Sequence, residues 1–337
     1  GVNAEAIRRI GGKVIVLDVN NNFGRVSQIL KLIRKEKIDV IVSHNSAPLF
    51  KIILILVHYF MRERVTIAYA HADAMSIYDE SRKRGMHIRK FVHRIGFEKC
   101  DEVIAISKFV KESLIRSFNT PAEKIKVIYN GTTINKALLS KKNGNGIPQL
   151  IYVGRLRKEK GVQNILKALA NMDHMVKYNM KIIGDGDYRP VLEAMVSQLG
   201  LQDRVCFCGS RVDVAKDLME ADIFVHFPEC EEGFGIAIIE AMSLGKICVC
   251  SESGAIPEII KNQYNGYLIE KKDMVHASEI LKRVIGEHQS EKNDVLRGHA
   301  IESVQKYSIE NYAEKFDETI ESLYKRKITK REYIRKL

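Results

Sequence analysis

The chain has 337 residues, of which 45% are hydrophobic and 28% charged, with 22 Gly and 6 Pro. That composition excludes a disordered or collagen-like chain, and no solenoid-type repeat is visible, so a packed globular protein of about two domains is expected. The net charge of +12 is unevenly placed: residues 1–146 carry +13, residues 147–324 carry −7 and residues 325–337 carry +6.

No run nears the roughly 20 apolar residues that cross a bilayer. The longest, Ile52–Val57, is bounded by Lys51 and His58. The opening at Gly1 shows no leader pattern. Six cysteines include two C-x-C pairs, Cys206/Cys208 and Cys248/Cys250, both in runs that read as buried strands. Structural zinc favours C-x₂₋₄-C spacing and free cysteine is a common small core residue, so core packing and no metal are expected. A reducing, cytoplasmic compartment follows as the default.

Short β-rich runs alternate with helical patterns from end to end. Strands are predicted at Lys13–Leu17, Asp39–Ser43, Val65–Ala70, Glu102–Ile106 and Lys126–Tyr129, then at Gln149–Val153, Lys181–Ile183, Arg204–Cys208, Ile223–His226 and Ile247–Cys250. Helices are predicted at Val26–Lys35, Lys108–Phe118, Gly161–Ala170 and Gly235–Ser243, with a last one near Ile309–Tyr324 leading into the basic tail. Near-continuous apolar strands separated by helices imply parallel sheets covered on both faces. The polar stretch Leu139–Pro148 reads as a linker. The expected organisation is an α/β protein of two Rossmann-like domains, residues 1–138 (joined by a C-terminal helix over 309–337) and 149–308. Ligands of such sheets bind at the carboxyl ends of the strands.

A basic front half has two candidate partners. Nucleic acid is disfavoured, since no binding motif is present and aromatic content is 7%. An anionic membrane surface suits the run Arg82–Arg94, which mixes cations with Met86, Ile88, Phe91 and Val92 as an interfacial helix does, although a solvated helix face reads equally well.

Two motifs carry chemistry. In Glu231-Glu-Gly-Phe-Gly-Ile-Ala-Ile-Ile-Glu240, two glycines sit where a loop turns into a helix, so the amides of Gly233, Phe234 and Gly235 would face outward at a helix start, suited to an oxyanion or phosphate. Glu232 and Glu240 add carboxylates that accept hydrogen bonds from sugar hydroxyls. A glycine turn followed by an amphipathic helix is the plain structural alternative. In Tyr152-Val-Gly-Arg-Leu-Arg-Lys-Glu-Lys-Gly161, the strand ends at Gly154, and Arg155 and Lys160 sit over the ligand end of the sheet, where two cations neutralise a diphosphate without a metal.

Both motifs in this order and spacing resemble the family 4 retaining glycosyltransferases of the GT-B fold, of the bacterial or archaeal surface-glycan type. The resemblance extends to Ile183-Gly-Asp-Gly186, Gly254-Ala-Ile-Pro-Glu258, Asn265-Gly266, Asn130-Gly131 and Ser107-Lys108, and so covers nearly all of residues 100–325. It implies two facing Rossmann-like domains and transfer of a sugar from a nucleotide-diphosphate donor to a hydroxyl of a glycan or lipid-linked acceptor, with retention at the anomeric carbon. The donor, a UDP-sugar before a GDP-sugar, is a substrate, and no cofactor or metal is implied. Arg155 and Lys160, beside Gly154, would hold the diphosphate. Glu232 and the amides of Gly233, Phe234 and Gly235 would hold the donor sugar, and Glu240 the ribose. His71 would face the donor as a further catalytic residue, and Arg211 would lie by the base. The implied place is the cytoplasm, on the inner face of the cell membrane.

Against the family's pattern, Ala4–Val14 already reads as the helix and strand that follow the usual opening strand, loop and helix. That unit is expected to be missing, leaving an open edge on the first sheet. Three rival readings follow. A truncated or non-catalytic nucleotide-sugar binder is the first. A sugar-nucleotide epimerase also has two Rossmann-like domains. Asp185-Gly-Asp187 as the Mg²⁺- or Mn²⁺-binding pair of the other large glycosyltransferase fold would leave both motifs without a role.

Overall fold

A computed structural model describes residues 7–16, 21–44, 48–71, 86–134 and 146–336. Ten strands form two sheets among these residues. The first runs β1 (Val40–Ser43), β2 (Val65–Ala70), β3 (Glu102–Ala105) and β4 (Ile125–Val127), in that spatial order. The second contains β5 (Gln149–Val153), β6 (Asn179–Ile183), β7 (Val205–Gly209), β8 (Ile223–His226), β9 (Ile247–Ser251) and β10 (Tyr267–Ile269), arranged β10-β9-β8-β5-β6-β7. Every described ladder of the second sheet is parallel, as is the β1–β2 pair. The two parallel α/β sheets expected from the alternation are present.

By compactness the chain divides into two units, residues 1–69, 82–103 and 320–337 in one and 70–81 and 104–319 in the other. In the first unit, α1 (Asn22–Lys35) is capped by the Asn21 side chain, which accepts from the Gly24 amide at 2.7 Å. Next comes α2 (Pro48–Phe60), burying Lys51, Ile53, Leu54 and Val57. The sequence run Ile52–Val57 belongs to this helix. The next helix is α3 (Met86–Lys99), which leaves Ile88 70% and Phe91 61% exposed. His93 does not belong to its charged face: it is buried, and burial, with Lys51 and Arg89 adding to it, pulls its imidazole down to about 4.

One strand expectation fails here. Residues 13–16 of the predicted run Lys13–Leu17 are not in a strand, and Leu17 lies outside the described residues. Val16 is 79% exposed, so the β-branched run lacks the half-buried surface that favours a strand. The linker residues 139–145 and the basic residues 82–85 also fall outside the described set.

In the second unit, α4 (Lys108–Phe118) packs on β4 of the first sheet, while α5 (Val162–Ala170), α6 (Arg189–Gln198), α7 (Ala215–Glu220), α8 (Ile236–Ser243), α9 (Ile256–Ile259), α10 (Met274–Gly286) and α11 (Glu291–Val304) accompany the six-stranded sheet. Its core joins Leu150, Tyr152, Ile182, Val225 and Val249 from the strands to Ile165, Leu281 and Leu296 from the helices. Asn293 is fully buried in α11 and accepts the Tyr267 hydroxyl at 2.9 Å, a polar contact that fixes the helix against β10. The last helix, α12 (Ile309–Lys336), takes in most of the tail. Its Lys327 donates to the carbonyls of Arg62 (3.0 Å) and Arg64 (2.8 Å) and pairs with Asp101 at 2.9 Å.

The two C-x-C pairs differ. Cys248 and Cys250 are buried in the interior strand β9, as expected. Cys206 is exposed and Cys208 half-buried on β7, which ends the sheet order, so the expectation of core packing is corrected for this pair. Cys208 falls at a bulge, where Ile182 pairs with Phe207 but Ile183 with Gly209.

Candidate functional site

The order of the second sheet reverses direction at β5: the chain lays down β5, β6 and β7 outward on one side, then returns to β8, β9 and β10 on the other. Such a switch point leaves a crevice outside the carboxyl ends of the two central strands. The loops entering it are residues 154–161, after β5, and 227–235, after β8. These are the two sequence motifs.

Gly161 brings the loops together. It has φ +72°, and a Cβ there would stand 1.8 Å from the Phe227 carbonyl oxygen, so only glycine allows this approach. The contact is tied by the Glu229 amide, which donates to the Glu159 carbonyl at 3.0 Å, and by the Asn164 side chain, which donates to the Phe227 carbonyl at 3.2 Å.

Glu232 is the centre of the site. Its Oε2 accepts from Lys160 Nζ at 2.8 Å and lies 3.2 Å from His226 Nε2, with side-chain exposures of 15% for Glu232, 23% for Lys160 and 7% for His226. Burial pushes the Glu232 carboxyl up, but the His226 hydrogen bond and the Lys160 charge outweigh it and hold the group at about 2. The site therefore contains a carboxylate that stays ionised at ordinary pH, held against a lysine side chain. His226 belongs to neither sequence motif. Its signal is a histidine ending an apolar strand six residues before Glu232.

The loop around Glu232 is held from three sides. The Ala255 amide donates to the Glu232 carbonyl at 2.8 Å, and Gly254, at φ +55°, packs so tightly that a Cβ would lie 2.2 Å from that same oxygen. Glu231 accepts from the Gly254 amide and pairs with Lys271 at 2.8 Å. On the third side the Ser107 hydroxyl donates to the Gly233 carbonyl at 2.8 Å. Gly235, at φ +102°, immediately precedes α8. The Phe234 ring is core, stacked on Tyr129 at 5.7 Å and edge-on to Tyr307 at 5.5 Å.

Glu240 lies on α8, half-buried, and its Oε1 accepts from the Thr132 hydroxyl at 3.5 Å. Burial raises its carboxyl above the usual range despite that bond. Arg155 is exposed just past the end of β5. Arg211, exposed beyond β7, has Nε 3.8 Å from an Asp217 carboxylate oxygen. His71 is exposed immediately after β2. The structure thus joins Lys160 and Glu232 directly. No contact of Arg155, Arg211 or His71 with that pair is described.

Asp185 accepts from the Gly186 amide at 2.8 Å and pairs with Arg189 at 3.2 Å, so it is engaged within its own loop. Among the described residues no group of three His, Cys, Asp or Glu side chains is placed to hold a metal ion.

The family described as Glycosyltransferase Family 4 matches residues 4–136, and the one described as Glycosyl transferases group 1 matches residues 136–302. The chain belongs to the family 4 glycosyltransferases. This glycosyltransferase is 32% identical over 238 residues to an uncharacterized glycosyltransferase of Methanocaldococcus jannaschii, a match covering 64% of the chain and 60% of the relative, somewhat short of two thirds of its length. It is 26% identical over 274 residues to UDP-Gal:alpha-D-GlcNAc-diphosphoundecaprenol alpha-1,3-galactosyltransferase of Escherichia coli, covering 76% of the chain and 68% of the relative. Among solved structures, Anabaena HepE in complex with UDP-glucose superposes with a TM-score of 0.81 at 21% identity, over 96% of this chain and 89% of that one. The likeness shows the fold, the two Rossmann-like domains of GT-B.

Proposed function

We propose that this glycosyltransferase moves a sugar from a UDP-sugar to a hydroxyl of a glycan or lipid-linked acceptor with retention at the anomeric carbon. The observation that carries the reading is the Lys160–Glu232 pair at the switch point of the six-stranded sheet: one fixed cation and one fixed acceptor at the ligand end of a nucleotide-binding architecture. The UDP-glucose bound by the Anabaena protein and the UDP-Gal and diphosphoundecaprenol in the name of the E. coli relative support this donor and this acceptor class.

In this reaction the acceptor oxygen bonds to the anomeric carbon on the face from which the diphosphate departs, the bond from that carbon to the phosphate oxygen breaks, and the departing phosphate takes the hydroxyl proton. The protein contributes position and charge stabilisation. An ammonium has three N–H donors, so Lys160 keeps two for phosphate oxygens while paired with Glu232. Arg155 is the second cation on the leaving diphosphate. Glu232 accepts from the donor sugar's hydroxyls, with the amides of Gly233, Phe234 and Gly235 beside it. Glu240 accepts from the ribose, Arg211 flanks the base, and His71 faces the sugar. Two cations in place of a metal make the transfer metal-independent.

The same reading puts the enzyme at the cytoplasmic face of the membrane. Among the described residues no helix is long and apolar enough to cross a membrane. Ile88 and Phe91, exposed on α3 beside Lys90 and Arg94, support contact with an anionic headgroup surface. Loss of vesicle binding in 0.5 M salt is expected, and indifference to anionic vesicles at low salt would remove this part of the reading.

The deciding experiment is thermal stability with UDP, GDP and their common sugar conjugates in EDTA, for the wild type and Glu240→Ala. Saturation at ~100 times Kd adds about 2.7 kcal/mol. Stabilisation by uridine nucleotides, weakened in Glu240→Ala, followed by turnover with a lipid-linked acceptor, is the expected result. Stabilisation without turnover against any acceptor would favour a non-catalytic nucleotide-sugar binder. No stabilisation with any nucleotide would overturn the reading.

A further inference from the structure

His226 ends β8 with its ring packed between two aromatic neighbours, Tyr152 at 5.9 Å and 21° and Phe224 at 6.3 Å and 33°. One ring nitrogen, Nε2, lies 3.2 Å from Glu232 Oε2. The other, Nδ1, is buried and has no hydrogen-bond partner among the described residues. An imidazole facing a carboxylate carries its proton on the facing nitrogen. An imidazolium would also place an N–H on Nδ1, and a buried N–H without an acceptor is the rarest kind of orphan in folded proteins. The neutral ring leaves only a lone pair unmet. Lys160, on the same Oε2, already supplies the positive charge that Glu232 needs. The titratable neighbours of His226 among the described residues include the Tyr152 phenol and the thiol of Cys250, its ladder partner on β9.

We propose that His226 is a positioning residue for Glu232: its neutral imidazole, immobilised by the two rings, donates Nε2–H to Oε2 and fixes the rotation of the carboxylate that meets the donor sugar. Lys160 alone could not do this, because an ammonium on a flexible four-carbon stem follows the carboxylate it pairs with. The imidazole is a rigid reference attached to the sheet. The lowered carboxyl of Glu232, which gives up its proton readily, is consistent with two donors on one oxygen. The inference rests on Glu232 being a ligand of the donor sugar.

Two variants and one measurement on the unaltered protein test it. In the wild type at pH 7, side-chain ¹⁵N spectra should show a proton on Nε2 of His226 and none on Nδ1; a proton on Nδ1, or on both, overturns the proposal. His226→Phe keeps the ring stack and removes the donor, whereas His226→Gln keeps an N–H within reach of Oε2. The carboxyl ¹³C titration of Glu232, assigned by its loss in Glu232→Gln, should move up by about one pH unit in His226→Phe and return towards the wild type in His226→Gln. An unmoved midpoint in His226→Phe overturns the proposal. In turnover, kcat should fall about tenfold in His226→Phe with acceptor KM unchanged, and recover most of the loss in His226→Gln. Equal losses in the two variants would mean a structural role only and would overturn it. Absence of nucleotide binding and turnover in the wild type overturns the donor-site reading instead; the titration, made on the free protein, decides separately whether His226 holds Glu232.

Discussion

Ser107 and Gly233 stand 126 residues apart in the chain and are joined by a 2.8 Å hydrogen bond from the serine hydroxyl to the glycine carbonyl. The same oxygen, Ser107 Oγ, accepts from the Val110 amide at 3.0 Å and so caps α4. One side chain therefore starts a helix and latches the loop that carries Glu232. Ser107→Ala should cost about 1–2 kcal/mol through the cap. It should also weaken nucleotide-dependent stabilisation, because the Gly233 carbonyl loses its donor. Denaturant midpoints with and without UDP measure both effects, and an unchanged response to UDP would show that the latch does not reach the site.

The depressed Glu232 carboxyl sets an acid limit. Its folded value of about 2 lies below the model-peptide value of 4.5, so the unfolded chain binds more protons between those pH values. The group's contribution, about 3 kcal/mol, is present above pH 4.5 and lost as pH falls towards 2. Glu232→Gln should flatten the pH dependence of stability in that window. Urea midpoints at pH 3 and pH 6 for both proteins check the sign.

Glu240 behaves in the opposite sense. Its carboxyl is raised by burial, so the folded chain holds the proton more tightly and stability falls as pH rises through the interval above the unfolded value. Glu240→Gln should stabilise the ligand-free protein at pH 7.5 and weaken UDP binding. Tm with and without UDP separates the two, and a variant stabilised in both conditions would remove Glu240 from the ribose site.

Gly161→Ala should be severe. The left-handed conformation alone costs a non-glycine residue about 1–2 kcal/mol. The new Cβ would also overlap the Phe227 oxygen at 1.8 Å, forcing the two loops of the site apart. Gly200→Ala is the control, since its φ is +66° but no atom lies within 4 Å of the added Cβ. A larger loss of midpoint in Gly161→Ala than in Gly200→Ala isolates the overlap from the backbone strain.

Most of the second unit is legible in the sequence because its strands are apolar runs and its loops carry glycine at positions of close approach. β5 and β8 fall where the runs Gln149–Val153 and Ile223–His226 place them. β10 escapes notice because three residues show no period. The first unit is harder to read: Lys13–Val16 has the residues of a strand without a surface to cover. At the site, spacing identifies Glu232 and Lys160 separately but not the 2.8 Å contact between them, which depends on two crossing loops. His226 reads in sequence as a strand residue, and its role emerges only from where its two nitrogens point.

Lys327 changes how the basic end of the chain is to be counted. Its ammonium donates to two backbone carbonyls and pairs with Asp101. Asp101 in turn accepts the Thr66 amide and hydroxyl at 2.8 and 2.9 Å, at the start of β2. This lysine is an internal rivet between the last helix and the turn before a strand, so its charge is not available to an outside partner. Clipping the chain ahead of it would remove more than surface charge: two backbone carbonyls and a carboxylate would lose the ammonium they share. A shortened protein that no longer sediments with vesicles would then be reporting a loosened frame as much as a lost electrostatic handle.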